Sequence, residues 1–179
     1  MAKLPTNYAW LERMTGRPRM IDEALKLYGT REFAGPANNP VIMSWAAELG
    51  GDVARDYRAD SIPWCGLGMA ICAKRAGKDL PASPLWALSW AKWGVAVPAP
   101  MLGDVVTFRR DGGGHVGLYV AEDSTALHVL GFNQGDQVSI VRMARTRLYA
   151  ARRPVYQSQP KTVLPYRLAA AGQFSTNEA

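Results

Sequence analysis

The sequence predicts an α+β fold, in which helices of the first half pack on an antiparallel sheet formed by the second half. Up to about residue 94, apolar residues recur every three or four positions, which is the spacing of an amphipathic helix. From Asp104 to Met143, short β-branched and aromatic runs alternate with a period of two between turns such as "RRDGGG" and "NQGDQ". Helices that precede strands, rather than alternating with them, are typical of the α+β class.

The first helical segments carry capping signals. Thr6 is expected to cap a first short helix, and a second helix in "RMIDEALKLYGT" should stop at Gly29, since glycine readily adopts the conformation that ends helices. In "NNPVIMSWAAELGG" we expect Asn39 as the N-cap and Pro40 at the first helical position, where a missing N–H does no harm.

The segment "DSIPWCGLGMAICAKRAG", residues 60–77, predicts a longer helix. Asp60 or Ser61 is expected near its N-cap, and Gly77 follows the basic pair that closes its last turn. Cys65 then lies in the first turn of this helix.

Three tryptophans in "LWALSWAKWG" also have helical spacing. Trp86, Trp90 and Trp93 stand at i, i+4 and i+7, which predicts a packing stripe, with a ligand-binding platform as the alternative. A stripe would bury the three rings, whereas a platform would expose them.

Length and composition set the expected domain organisation. With 179 residues, 48% of them hydrophobic, the chain can form one domain with its own core, which we place at residues 1–155. Residues 156–179 are rich in Pro, Gln, Ser, Thr and Ala and are expected to form a mobile tail. There is no apolar run of about 18 residues and no secretory signal pattern, so we expect synthesis in the cytoplasm and no stable membrane insertion.

Charge and cysteine content exclude some classes of protein. The net charge of +6 comes from dispersed Arg and Lys and suggests affinity for polyanions, but no zinc-finger or RNA-binding signature accompanies it, so a nucleic-acid partner is not expected. Two cysteines are too few for a disulfide framework, and both are expected to be free thiols.

Cys65 is the candidate nucleophile. The first turn of a helix presents unpaired N–H groups and the positive end of the helix dipole, which stabilise a thiolate. Cys72 lies seven residues further on (72 − 65 = 7) on an apolar side, where it should be inert filler. A lone cysteine could equally be a buried structural residue, so Cys65 needs partners.

His115 is the candidate base. It follows three glycines at the start of "HVGLYVA", a predicted strand whose alternation places His115, Gly117 and Tyr119 on one face. The small residues of that face would suit packing against the helix of Cys65. A third polar group should orient the imidazole, and His128 and Asn133 are the two candidates.

Three motifs in this order resemble the NlpC/P60 and CHAP superfamily of papain-like cysteine hydrolases. They are "YRADSIPWCGLGMAICAKRAG", "PMLGDVVTFRRDGGGHVGLYVAED" and "HVLGFNQGDQVSI", and the resemblance covers residues 21–154. The sequence is most similar to a phage and prophage branch with Pro-Trp-Cys-Gly, Gly-His-Val-Gly and Leu-Gly-Gly-Asn-Gln. The resemblance implies a papain-like NlpC/P60 fold, in which the nucleophile helix packs on an antiparallel β-meander.

The resemblance also implies a peptidoglycan hydrolase, which cuts an amide bond in the stem peptide or between muramic acid and L-alanine. Cys65 matches the nucleophile and His115 the general base. Asn133 matches the Asn of Gly-Asn-Gln and is favoured as the third residue, with His128, near the third His of NlpC/P60 enzymes, as the alternative. Tyr57 falls where relatives carry a polar group that assists the oxyanion.

Two further positions bear on the resemblance. Phe132 stands where the branch has Gly, which alters the loop before Asn133. Asp60 is interpreted as a helix cap rather than a catalytic group.

This chemistry fits more than one biological setting. We expect a monomeric phage endolysin that needs no metal or cofactor, binds bacterial peptidoglycan and acts on the cell wall in the periplasm after release. An injected antibacterial toxin with the same chemistry and a non-catalytic wall-binding or structural phage module are the alternatives. A zinc site from Cys65, Cys72, His115 and His128 is disfavoured, because the cysteine spacing is not CxxC.

Overall fold

The α+β class expected from the sequence is confirmed by the computed structural model, which describes residues 2–110, 112–170 and 172–177. Its α-helices are α1 Ala9–Arg13, α2 Arg19–Lys26, α3 Pro40–Leu49, α4 Gly51–Asp56 and α5 Cys65–Arg75. Short 3₁₀ helices span Thr6–Tyr8, Ala87–Lys92 and Arg145–Arg147. The strands are β1 Val95–Ala96, β2 Val105–Arg110, β3 Gly113–Glu122, β4 Ala126–Gly131, β5 Ser139–Ala144 and β6 Leu148–Arg153. None of the described helices is long and apolar enough to cross a membrane.

Local signals set some helix ends and not others. Helix α3 begins as expected, because the Asn39 side chain accepts a hydrogen bond of 2.8 Å from the Val41 N–H and Pro40 opens the helix. The expected cap by Thr6 is wrong: a 3₁₀ turn starts there instead, and the Tyr8 N–H closes it on the Pro5 carbonyl at 2.8 Å.

Asp60 does not cap α5, which corrects the expectation for this residue. Trp64 is the N-cap residue of α5, and no side chain caps the helix. The buried Asp60 carboxylate instead accepts from the backbone N–H groups of Phe33 and Asn39, at 3.1 and 2.7 Å. The carboxylate therefore ties the loop before α3 to the loop before α5.

The three tryptophans do not form one helical stripe. They surround a 3₁₀ helix, whose three residues per turn bring Trp90 and Trp93 to the same side, with ring centroids 5.4 Å apart. Trp90 is fully buried, whereas Trp86 precedes the helix and is 75% exposed. The packing interpretation therefore holds for Trp90 and fails for Trp86.

All six strands pair antiparallel in the order β1-β6-β2-β3-β4-β5. Only Arg145–Arg147 joins β5 to β6, so their ends lie at most about 15 Å apart. In a flat sheet these two strands would be separated by four strand spacings, or about 19 Å. The sheet must therefore curl to bring β5 towards β6.

Two apolar clusters lie on the two faces of the sheet. The larger one, here called the helix-side core, joins the helices to the sheet and includes Leu11, Ile21, Trp45, Cys65, Leu67, Ile71, Val116, Leu118, Val120 and Phe132. The smaller one, here called the sheet core, consists of Val106, Phe108, Tyr119, Leu127, Val129, Met143 and Ala151. From Val116 to Val120 the residues of β3 alternate between the two faces, as the period of two predicts, and the pairing with β4 becomes irregular between Tyr119 and Ala121.

Helix α5 lies inside the helix-side core, and every residue from Cys65 to Ala73 is buried. Two glycines make this close fit possible. A Cβ at Gly66 would lie 2.3 Å from the Leu85 carbonyl oxygen, and a Cβ at Gly68 would lie 2.1 Å from the Phe132 ring. The unexpected Phe132 therefore fills the space that Gly68 leaves, and it contacts the rings of Trp45 and Trp64.

The segment after residue 155, expected to be a mobile tail, makes several contacts where it is described. Tyr166 stacks on Trp10 with centroids 4.8 Å apart, and Val163 is buried. Glu122 forms a β-bridge with Arg167. The Glu122 N–H donates to the Tyr166 carbonyl, and the Glu122 carbonyl accepts from the Leu168 N–H. The domain boundary at residue 155 stays a prediction.

We expect Gly68→Ala to destabilise the protein by about 1–3 kcal/mol, because the added methyl overlaps the Phe132 ring in a close-packed core. Chemical denaturation measures this change. Gly113→Ala is the matched control, since the nearest atom to its new Cβ, Arg110 Nε, lies 4.0 Å away. Equal stability of the two variants would contradict this account of the α5 contact.

Candidate active site

Cys65 begins α5 and touches the sheet through the backbone of β3. Its side chain is buried, with 4% of the residue exposed. Burial raises the pKa of the thiol, while the backbone N–H groups of Val116 and Gly66 hydrogen-bond the sulfur and act in the opposite direction. The amide donors at the helix start favour the thiolate as expected, but desolvation has the larger effect on the thiol pKa.

The expectation that the His115 face of β3 packs against the helix of Cys65 is also wrong. Val116 and Leu118 belong to the helix-side core with Cys65. Their branched side chains fill the gap between the strand and the apolar helix. Tyr119, on the His115 face, belongs to the sheet core.

His115 is fully buried, and its Nε2 lies 3.0 Å from Oε1 of Gln134. The Gln134 amide has a defined orientation, because its Nε2 donates to the carbonyls of Ser139 at 2.7 Å and Val129 at 3.3 Å. Its Oε1 can only accept, so the ring nitrogen facing it must carry the hydrogen. In neutral His115 the lone pair is therefore on Nδ1, as a general base requires.

Glycines leave room for this pair. A Cβ at Gly131 would lie 2.4 Å from Gln134 Oε1 and 3.2 Å from His115 Nε2. Gly131 is opposite Gly117 in the β3–β4 register, and a Cβ at Gly117 would lie 2.5 Å from Val129. Gly131 thus leaves room for the imidazole and the Gln134 amide, and Gly117 leaves room for Val129.

The two candidates for the third residue have different surroundings. Asn133 is buried next to Gln134 with a left-handed backbone, φ 56°. His128 lies in a different buried cluster, where its Nδ1 is 2.7 Å from the Tyr8 hydroxyl and its Nε2 is 2.9 Å from the Asp123 carboxylate. His115 therefore contacts Gln134, whereas both ring nitrogens of His128 contact other residues, Tyr8 and Asp123.

Gln134 is a site residue that the sequence-based reasoning missed. The signal for it exists, because Gln134 is the last residue of the Gly-Asn-Gln motif that also contains Asn133. A turn residue is usually exposed, and the burial of Gln134 depends on its amide reaching Ser139 across the loop.

Tyr57, the candidate oxyanion group, is buried, and its hydroxyl donates to the Ile62 carbonyl at 3.2 Å. Burial, reinforced by the carboxylates of Asp60 and Glu32, raises the pKa of this phenol. The hydroxyl therefore stays protonated and supports the loop that precedes α5.

Among the described residues, no three His, Cys, Asp or Glu side chains form a group that could hold a metal ion. Cys65 and Cys72 are both free. A cavity of about 170 Å³ opens near the start of α5, between Asp52 and Trp86. Its wall includes Pro84 and Leu85, the residues that press on Gly66.

No protein-family model matches the chain, and no curated protein matches it. Among solved structures, the chain is similar to RipD from Mycobacterium tuberculosis, described as a non-catalytic NlpC/p60 domain protein adapted to peptidoglycan binding. The two are 18% identical, the match covers 78% of this chain and 95% of RipD, and the TM-score is 0.44.

We expect Asp123→Asn to destabilise the protein by about 3–5 kcal/mol at pH 7, because it removes one partner of a buried ion pair. The Arg142 guanidinium, 2.7 Å away, holds the pKa of Asp123 well below its usual range. A lowered carboxyl pKa stabilises the fold above the unfolded pKa near 4, and this contribution is lost as pH falls further.

Denaturant unfolding at pH 7 and at pH 3 tests this. The difference in the free energy of unfolding between wild type and Asp123→Asn should be smaller at pH 3 than at pH 7. Asp52→Asn, at a side chain that is 83% exposed, is the control and should change little. If this difference in the free energy of unfolding were the same at both pH values, the ionised Asp123 carboxylate would not be the cause of the destabilisation.

Proposed function

We propose that this protein is a cysteine hydrolase of the NlpC/P60 superfamily that cleaves an amide bond of bacterial peptidoglycan, with Cys65 as nucleophile and His115 as base. The observation that carries the proposal is the His115–Gln134 hydrogen bond of 3.0 Å, since it leaves the basic lone pair on Nδ1. The three motifs that resemble the superfamily supply the substrate class.

The contact between Cys65 and β3 brings the backbone of His115 close to the sulfur. The sulfur is hydrogen-bonded to the N–H of Val116, and His115 is the preceding residue, with its Cα about 3.8 Å from that of Val116. The backbones of residues fifty positions apart in the chain (115 − 65 = 50) thus meet at the helix–strand contact, while the side chains of Val116 and His115 leave β3 on opposite faces.

The proposed reaction requires the His115 imidazole to come within reach of the sulfur; the thiol proton then moves to Nδ1 of His115, while Nε2–H remains bound to Gln134. The thiolate attacks the scissile carbonyl carbon, and the Cys65 backbone N–H donates to the oxygen as it becomes negative. The C–N bond breaks, the proton on Nδ1 passes to the leaving amine, and a thioester remains. Water that gives a proton to His115 then hydrolyses the thioester, and the sulfur recovers its proton.

Burial favours a second candidate, a non-catalytic wall-binding module. Cys65 is 4% exposed, His115 is fully buried, and the pKa of the thiol is raised by desolvation. A substrate must therefore open the surface above Cys65 for hydrolysis to occur. A binding module needs no such opening.

The biological setting is part of the proposal. We favour a phage endolysin that acts on the cell wall as a monomer, and an injected antibacterial toxin would use the same residues. Both act on peptidoglycan in the periplasm, and neither requires a cofactor. Mass spectrometry of fragments released from defined peptidoglycan distinguishes an amidase, which frees the amine of L-alanine, from a stem-peptide endopeptidase.

We expect Cys65→Ala to lower the release of new amines from purified peptidoglycan by at least about a thousandfold, since the nucleophile is lost. Cys72→Ala is the matched control and should retain activity, because Cys72 is fully buried within α5. Circular dichroism checks that both variants fold. Lysis by Cys65→Ala at the wild-type rate would refute the hydrolase, and a wild type that binds wall without cleaving it would establish the binding module.

We expect Gln134→Leu to lower kcat roughly 10–100-fold, as the loss of a group that orients a functional histidine does elsewhere. The ¹⁵N shifts of the His115 ring should show that the Nε2–H form no longer dominates. A purely structural role for Gln134 would leave this tautomer unchanged.

Asn133→Ala and His128→Ala are the comparisons, with turnover corrected for stability. Asn133 lies beside Gln134, and His128 is held by Tyr8 and Asp123, so each should affect the tautomer less than Gln134. A larger effect of either variant on both the tautomer and kcat would move the orienting role to that residue.

A further inference from the structure

A cavity lies at the opposite end of α5 from Cys65. Its volume is about 770 Å³, which is within the range of small-molecule sites. Ala76 and Gly77, which follow α5, form part of its wall. Since α5 has 11 residues, the cavity is about 16 Å along the helix axis from Cys65 and is distinct from the candidate active site.

The charge of the cavity favours an anion. Its lining includes three cations, Arg17, Arg19 and Lys78, and one carboxylate, Asp79. Arg17 is already engaged, with its Nε 2.6 Å from Asp22 and its Nη1 bonded to three backbone carbonyls.

Arg19 and Lys78 have no carboxylate partner among the described residues. Among the described residues, the Arg19 guanidinium makes one hydrogen bond, of 3.4 Å, to the Arg75 carbonyl. The Lys78 ammonium contacts the Val155 carbonyl and lies 5.0 Å from the centroid of the Tyr156 ring. Two cations whose charge is not neutralised by a neighbour thus face the same cavity.

The Tyr156 hydroxyl is a second, independent sign of a ligand. The oxygen is buried and forms no hydrogen bond with any described residue. Such an unsatisfied donor costs free energy unless a bound group accepts from it. Burial raises the pKa of Tyr156 to about 12, so the hydroxyl keeps its proton and can donate at neutral pH.

The aromatic walls favour a sugar over a nucleobase. Trp93 packs on Trp90 on one side, and the Lys78 ammonium lies over the Tyr156 ring. Neither ring therefore offers two open faces for base stacking, whereas a sugar needs only one apolar face and nearby polar groups. Gln157 and Ser158, both exposed at the rim, can bond hydroxyl groups.

From these observations we propose that the cavity binds an anionic saccharide, with its phosphate or carboxylate on Arg19 and Lys78 and an oxygen accepting from Tyr156. The site is separate from hydrolysis and would hold the protein on the envelope polymer. It does not depend on Cys65 being a nucleophile.

Calorimetric titration of the full chain tests the site, using Cys65→Ala as the host protein so that no probe is cleaved. The probes are N-acetylglucosamine 6-phosphate, a glycan containing N-acetylmuramic acid and an uncharged chitin tetramer. We expect at least one anionic probe to bind and the chitin tetramer to bind far more weakly. The phosphate and carboxylate arms show which polymer is the source of the anion.

The charge variant is Arg19→Ala with Lys78→Ala, and its matched control is Arg13→Ala with Lys26→Ala. The control removes the same two charges from exposed positions outside the cavity. We expect the first pair to weaken binding by about tenfold or more for each cation and the control to leave it unchanged. Equal effects of the two pairs would show non-specific charge attraction and overturn the proposal.

Tyr156→Phe separates a ligand contact from a structural one. We expect weaker binding without a lower Tm, since the hydroxyl has no described partner within the protein. A lower Tm with unchanged affinity would overturn the proposal. The proposal also fails if no anionic probe binds, or if a single-stranded DNA oligomer binds more tightly through these residues.

Discussion

Burial of helix α5 from Cys65 to Ala73 is the constraint on which the rest of the structure depends. A helix enclosed in this way cannot shift without opening the core, and Gly66 and Gly68 let the Leu85 backbone and the Phe132 ring approach it closely. This packing fixes Cys65 against β3. It also sets the distance to the basic cavity beyond the other end of the helix.

The same burial sets the chemistry of Cys65. A helix start and the Val116 N–H both favour the thiolate, yet removal of water from the sulfur has the larger effect and raises the thiol pKa. In the proposed hydrolase a base must therefore take the proton from the sulfur before the sulfur attacks. The Gln134 amide keeps the Nε2 hydrogen in place and the lone pair on the other nitrogen of His115, which is the tautomer that the proposed base needs.

A second feature of the fold is a buried network of hydrogen bonds and ion pairs around Asp123. Asp123 joins His128, Arg142 and the backbone of Thr125, and Tyr8 extends the network to the N-terminal 3₁₀ turn. His128 thus has a role in holding chain segments together that are distant in sequence. The two histidines of the chain differ in their partners, and neither histidine's partners could be assigned from spacing.

Local residue chemistry is enough to predict the α+β class, the start of α3 at Asn39 and Pro40, and the alternation along β3, because each depends on neighbours within a few positions. The partner of His115, the lack of an Asp60 cap and the exposure of Trp86 depend on residues brought together by folding. The raised pKa of Cys65 also depends on tertiary structure, since desolvation is a property of the packed core and not of the first helical turn. Motif spacing located Cys65 and His115 along the chain, but only the tertiary structure decided which face of the strand meets the helix and which amide meets the ring.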